Sequence, residues 1–221
     1  MISGAEAAHA RARRLSPGDP VTLVDGTGME SRGRLLRLTS SRAEIEIEEV
    51  IRAAEPDVDL TLLLAVLRPE RMAWVAEKAT ELFASRVVLV ASERAQAFRS
   101  SQANVARLGR VAQEAAKQCE SARWPRIEGP LALEDVWRQP AAHRLFLDLE
   151  GETFPAVLAP GAVAILVGPE GGWTSAERGE AVVGGWRILR LPAGKLRAET
   201  AAVAALVLAR AALERGRIEK N

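Results

Sequence analysis

Leu166-Val167-Gly168-Pro169-Glu170-Gly171-Gly172-Trp173-Thr174 and, further along, Leu196-Arg197-Ala198-Glu199-Thr200-Ala201 decide how the C-terminal half of this chain is read. Ala162 to Val167 is a short apolar run of the kind that forms a strand buried on both faces. Gly168, Gly171 and Gly172 then allow backbone angles and approaches that a Cβ forbids, while Pro169 stiffens the bend. Thr174 with Glu177 three residues on fits a capping box, which predicts a helix start whose free N–H groups point back at the loop. A single loop of this kind is equally well an ordinary strand-to-helix turn.

The second segment adds weight. Arg187 to Leu191 predicts a strand. Pro192-Ala193-Gly194 predicts a turn, and an Ala-rich helix is expected from near Ala198 to Gly216, where the glycine should stop it. Lys195, Arg197, Glu199 and Thr200 therefore crowd one turn beside a helix start. Each has an ordinary explanation: Glu199 suits the positive helix end, Thr200 can satisfy a backbone group, and Arg197 can be a solvated charge. Together, two such bends are expected to line one pocket.

Outward from there, strands are predicted at Leu60 to Leu67, Arg86 to Ala91 and Arg144 to Leu149. Helices are predicted from Pro69 to about Phe83 and from Asn104 to Glu120. This alternation implies an α/β fold with a parallel sheet covered on both faces. Organisation breaks near Ala53 to Asp59, giving expected domains at 1–54 and 55–221. Before the break, Val21 to Asp25, Gly33 to Leu38 and Ala43 to Val50 read as strands of a small β barrel or sheet.

The 221 residues suffice for one large domain or two unequal ones. A formal charge of +1 means that affinity for nucleic acid must come from local patches. One such patch is the N-terminal stretch, where seven arginines before the strand at Ala43 meet four carboxylates, a net of +3. A lone Cys119 excludes an internal disulfide and, with Leu108, Ala112 and Ala115 on one helical face, is expected in the core. Neither a signal sequence nor a membrane span is expected, which fits a cytoplasmic protein. A triphosphate-binding loop is excluded because Gly194-Lys195 is followed by Leu196, and no G-x-G-x-x-G follows an early strand.

The GPEGG loop, the Leu196–Ala201 segment, Glu77-Lys78-Ala79-Thr80-Glu81-Leu82 and Ser92-Glu93-Arg94 resemble the RsmE family of bacterial ribosomal RNA methyltransferases, of the SPOUT class, from His9 to the last helix. The resemblance implies a parallel-sheet domain with a C-terminal trefoil knot, preceded by a PUA-like β-barrel domain that binds RNA. Connection rules alone argue against a knot. It also implies a homodimer that binds S-adenosyl-L-methionine and methylates N3 of one uridine in 16S ribosomal RNA, free or within the small ribosomal subunit. Cofactor contacts are expected from Leu147, Val167, Gly168, Gly171, Gly172, Leu191, Pro192, Ala193 and Leu196, and RNA contacts from Arg11, Arg13, Arg14, Lys78 and Arg94. Lys78 and Glu81, at i and i+3, also read as an ion pair.

The chain departs from the family pattern at Pro192-Ala193-Gly194-Lys195, at Phe83 where a glycine commonly stands, and at Ser121 where an arginine often stands. The alternatives are therefore an inert RNA-binding protein of the same fold, or a SPOUT methyltransferase acting on another RNA.

Uracil N3 carries a proton at neutral pH, so methyl transfer needs that proton removed or the growing negative charge on the ring oxygens stabilised. Arg197 is expected to stabilise that charge, with Glu170 and Glu199 as possible proton acceptors. No metal is needed, and much of the acceleration is expected from alignment at about 3 Å.

Overall fold

The computed structural model describes residues 1–54, 58–95 and 102–219. The chain divides into two compact units, Met1–Glu55 with Ser121–Arg123, and Pro56–Glu120 with Trp124–Asn221. The boundary expected after residue 54 adjoins residues 55–57, which lie outside the described residues. That Ser121–Arg123 belongs to the first unit is not marked by any local pattern. Its Ala122 carbonyl accepts from the Gly28 N–H at 3.1 Å.

The first unit contains β1 (Ile2–Ser3), α1 (Ala5–Ala12), β2 (Pro20–Val24), β3 (Met29–Leu38) and β4 (Arg42–Arg52). Its strands form an antiparallel sheet in the order β1-β4-β3-β2. The β3–β4 ladder shifts register at Gly33, where a side chain would run into the Glu46 carbonyl. Such a bulge bends the paired strands. Leu35, Ala43, Ala7 and Ala10 are buried. The expected basic surface is partly neutralised, because Arg34 pairs with Glu48 at 3.0 Å and Arg32 with Glu30 at 2.9 Å. Arg11, Arg13 and Arg14 are exposed.

The second unit runs β5 (Leu60–Ala65), α2 (Pro69–Glu81), β6 (Arg86–Ala91), α3 (Gln102–Gln118), β7 (Arg126–Ala132), α4 (Leu133–Val136), β8 (His143–Thr153), β9 (Val163–Val167), α5 (Ser175–Val183), β10 (Arg187–Arg190) and α6 (Ala198–Ile218). All six strands are parallel, in the order β10-β8-β9-β5-β6-β7. Every residue of β5 and β9 is buried, as their unbroken apolar runs predict. Successive side chains go to opposite faces. Leu62 and Leu64 pack with Val75, Ala79, Ala205 and Leu206 on one side, and Leu63 packs with Phe146, Trp173 and Trp186 on the other.

Three details differ from expectation. Helix α6 does not stop at Gly216 but runs through it to Ile218. Gly216 is buried against the Leu158 carbonyl, where a Cβ has no room, so it serves close packing and not termination. Cys119 is exposed, because α3 ends at Gln118 and the chain leaves the buried face that Leu108, Ala112 and Ala115 continue. Phe83 adopts φ 57°, the conformation that favours glycine at the end of a helix. The Ala84 N–H reaches the Ala79 carbonyl and the Phe83 N–H reaches the Thr80 carbonyl, both at 2.9 Å, which completes a Schellman closure of α2. The Arg210 guanidinium lies 4.8 Å from the Phe83 ring centre and offsets part of the strain.

Candidate active site

The C-terminal ends of β9 and β10 and the middle of β8 open onto one cavity of about 530 Å³. Open parallel sheets present ligands at this end. Both bends singled out in the sequence reach it, the first through Val167 to Trp173 and the second through Leu191 and Gly194 to Ala198.

The first bend is built around Trp173. Its ring turns back over Gly168, so close that a Cβ on Gly168 would stand 2.7 Å from the indole nitrogen. The Trp173 Nε1–H donates to the Leu147 carbonyl at 3.0 Å, tying the loop to β8. The Gly172 N–H donates to the Pro169 carbonyl at 2.9 Å and Gly172 has φ 69°, so glycine is required there by conformation and not by crowding, since a Cβ would meet nothing within 4 Å. The capping box forms in both directions: the Glu177 N–H donates to the Thr174 hydroxyl at 3.2 Å, and the Thr174 N–H to Glu177 Oε2 at 2.8 Å. Glu177 is buried, and its other oxygen accepts the Glu93 N–H at 3.1 Å. Arg94 Nη1 donates to the Gly171 carbonyl at 3.2 Å. Arg94, expected to contact RNA, thus braces the loop together with Glu93.

A third wall comes from β8. Phe146 pairs with Ile188 of β10, but the next residue of β10, Leu189, pairs with Glu152. Residues 147–151 are therefore extruded from the ladder, and Leu147, Asp148, Leu149 and Glu150 line the cavity. Asp148 is held by Arg178 at 2.8 Å, and this hydrogen bond raises the pKa of the guanidinium above the ordinary arginine value. Of these four residues the sequence pointed to Leu147 alone, because nothing in a linear pattern marks where a ladder will lose its register.

Arg197 is exposed on the cavity wall, and its guanidinium makes no hydrogen bond or ion pair among the described residues. Glu170 also lines the wall, ion-paired to Arg71 of α2. Glu199 does not reach the wall; its Oε1 lies 3.5 Å from Arg71 Nε, and its Oε2 is buried with no partner. Leu147, Val167, Gly168, Gly171, Gly172, Leu191 and Leu196 are brought together around the cavity, whereas Pro192 and Ala193 are not on its wall. Lys78 is 2.7 Å from both Glu77 and Glu81, which raise its pKa, Glu77 first. Sequence reasoning missed Arg71 and Arg178, whose partners lie far away in the chain.

Among the described residues no cluster of three or more His, Cys, Asp or Glu side chains is placed to hold a metal ion, and no helix is long and apolar enough to cross a membrane.

Residues 54–210 match the profile of the RNA methyltransferase domain family. The ribosomal RNA small subunit methyltransferase E of Synechocystis sp. is 29% identical over 213 residues, covering 92% of this chain and 70% of that protein. Among solved structures, the ribosomal RNA small subunit methyltransferase E of Neisseria gonorrhoeae bound to S-adenosyl methionine aligns with a TM-score of 0.84 at 27% identity, over 91% of this chain and 86% of that one. A Legionella pneumophila methyltransferase in complex with the bound cofactor SAM aligns with a TM-score of 0.82 at 26% identity, over 92% and 87%. The antiparallel small unit is PUA-like and the six-stranded parallel unit is of the SPOUT class. With the greater part of its length inside that profile and both loop motifs around one cavity, this chain belongs to the RNA methyltransferase domain family, within its RsmE branch.

Proposed function

We propose that the chain methylates N3 of a uridine in small-subunit ribosomal RNA, using S-adenosyl-L-methionine, and acts as a cytoplasmic homodimer whose cofactor loops form a trefoil knot. The observation that carries this reading is the convergence of two loops, from β9 and from β10, on one cavity beside an unengaged arginine.

The residues present fit the cofactor. Leu147, Val167, Leu189, Leu191 and Ala201 offer an apolar slot for a flat base, and Gly168, Gly171 and Gly172 bring main-chain groups close enough for its polar edge. Bound there, S-adenosyl-L-methionine supplies a methyl group activated by a positively charged sulfur. The chain must hold the uracil ring in line and manage the imide proton. As N3 loses its proton, negative charge spreads onto the two flanking carbonyl oxygens until the bond to the methyl carbon neutralises it, and the Arg197 guanidinium is free to face that charge. Three carboxylates line the wall; Asp148 and Glu150 are both paired with Arg178, and Glu170 is the one we assign to accept the proton, while Glu199 is off the wall.

Arg197→Ala should leave S-adenosylmethionine binding within about twofold and lower methyl transfer by about 10²–10³. Isothermal titration and single-turnover assays read the two effects separately, and unchanged turnover removes Arg197 from the mechanism. Mapping methylated nucleosides in ribosomal RNA from a deletion strain identifies the target. The alternative of an inert RNA-binding protein predicts no S-adenosylmethionine binding at millimolar concentration. Of the four departures in this loop, Pro192 and Ala193 are off the cavity wall and Gly194 and Lys195 are on it, so it is at Gly194 and Lys195 that the inert reading would have to act.

A further inference from the structure

Arg71 lies in the first turn of α2, distant in sequence from both cofactor loops, yet its side chain lines the cavity. Its Nη1 pairs with Glu170 on the loop after β9, and its Nε is 3.5 Å from Glu199 at the start of α6. The side chains differ in burial, Glu170 being 42% exposed, Arg71 26% and Glu199 13%. The bridge thus runs from the rim inward.

We infer that Arg71 is a positioning residue that fastens the two cofactor loops to each other and sets the width of the cavity between them, with Glu199 as its buried anchor and not a proton acceptor. This inference rests on the proposed cofactor site. Guanidinium is the side-chain group suited to the task, because its planar fork presents several donors in fixed directions and engages two carboxylates at once. An ammonium is a point charge on a flexible stem and satisfies one carboxylate well at the expense of the other. Glu199 cannot easily do without the contact. Its Oε2 has neither solvent nor a partner, and removal of Arg71 leaves a carboxylate with its charge uncompensated beneath the second loop. Its place in the first turn of α6 gives some compensation from the helix end. A residue in this position acts on the cofactor's affinity through the loops, without needing to touch the reacting atoms.

The test is isothermal titration of S-adenosylhomocysteine into the full-length wild type, Arg71→Gln, Glu170→Gln and the double variant, with thermal unfolding of each. Arg71→Gln is expected to weaken binding by about tenfold, and the double variant to be no weaker than Arg71→Gln alone, because both changes cut the same bridge. In steady-state assays KM for S-adenosylmethionine should rise and KM for RNA should not. Binding by Arg71→Gln within about twofold of wild type overturns the inference, as does fully additive weakening, or a rise confined to the KM for RNA. Should Arg71→Gln fail to fold, Arg71→Lys decides: weakening of about threefold or more supports the two-pronged bridge, and wild-type affinity overturns it. A wild type that binds no S-adenosylhomocysteine overturns the proposed function and this inference with it, whereas a wild type that binds beside an unaffected Arg71→Gln overturns this inference alone.

Discussion

The loop after β9 and the loop after β10 share one cavity but are held very differently. The first is fixed by Trp173 donating to Leu147, by Arg94 donating to Gly171, by the turn bond between Gly172 and Pro169, and by a two-way capping box. The second has the Ala193 N–H donating to the Leu191 carbonyl at 2.8 Å, and its N-cap Arg197 makes no side-chain capping bond. Residues 192–195 are exposed throughout. The first loop therefore imposes shape, and the second conforms to it. The departures from the family pattern at 192–195 fall in the loop with fewer contacts to disturb.

The largest test of that contrast is Gly168→Val. A Cβ there meets the Trp173 indole at 2.7 and 2.8 Å, so either the ring leaves its slot or the loop moves. Overpacking of this kind costs about 1–3 kcal/mol, and S-adenosylhomocysteine affinity should fall more than about tenfold. Urea denaturation and titration measure the two; wild-type binding by this variant would mean that the loop is not rigid after all. Trp173→Phe is milder. It keeps most of the ring but removes the N–H that donates to the Leu147 carbonyl, at a cost of about 1–2 kcal/mol in the same denaturation experiment. The smallest effect belongs to the second loop. Gly194→Ala adds a Cβ with nothing within 4 Å and no left-handed φ to strain, so stability should stay within about 0.5 kcal/mol and affinity within about twofold. A tenfold loss there would erase the distinction between the loops.

Local signals in the sequence translated well into structure. The strand Arg86–Ala91 matches its apolar run, and Thr174 with Glu177 forms the capping box that their spacing implies. The junction of two distant bends was also legible, because each carries a strand, a permissive turn and a helix start. What depends on pairing across the chain was not. Strand β7 contains Gly129-Pro130, which argues against a strand, yet it lies at the edge of the sheet, where proline is tolerated. Gly216 has the composition of a helix stop, but its environment is set by Leu158, far earlier in the chain. Nothing beside Arg71 in the sequence marks it, because its partners Glu170 and Glu199 are brought to it only by the fold.

The excursion of residues 147–151 has a consequence for how such a pocket diversifies. Phe146 and Glu152 bracket it with pairing to β10, Leu147 is part of the core, Asp148 is tied to Arg178 and Gly151 abuts the β10 backbone, so it is the exposed tip at Leu149 and Glu150 where chain can be added with least disturbance to the sheet and the hydrophobic layers. The depth of the binding wall is thereby uncoupled from the stability of the scaffold. A designer wishing to accept a bulkier or smaller ligand has a natural graft point there, flanked by fixed ends.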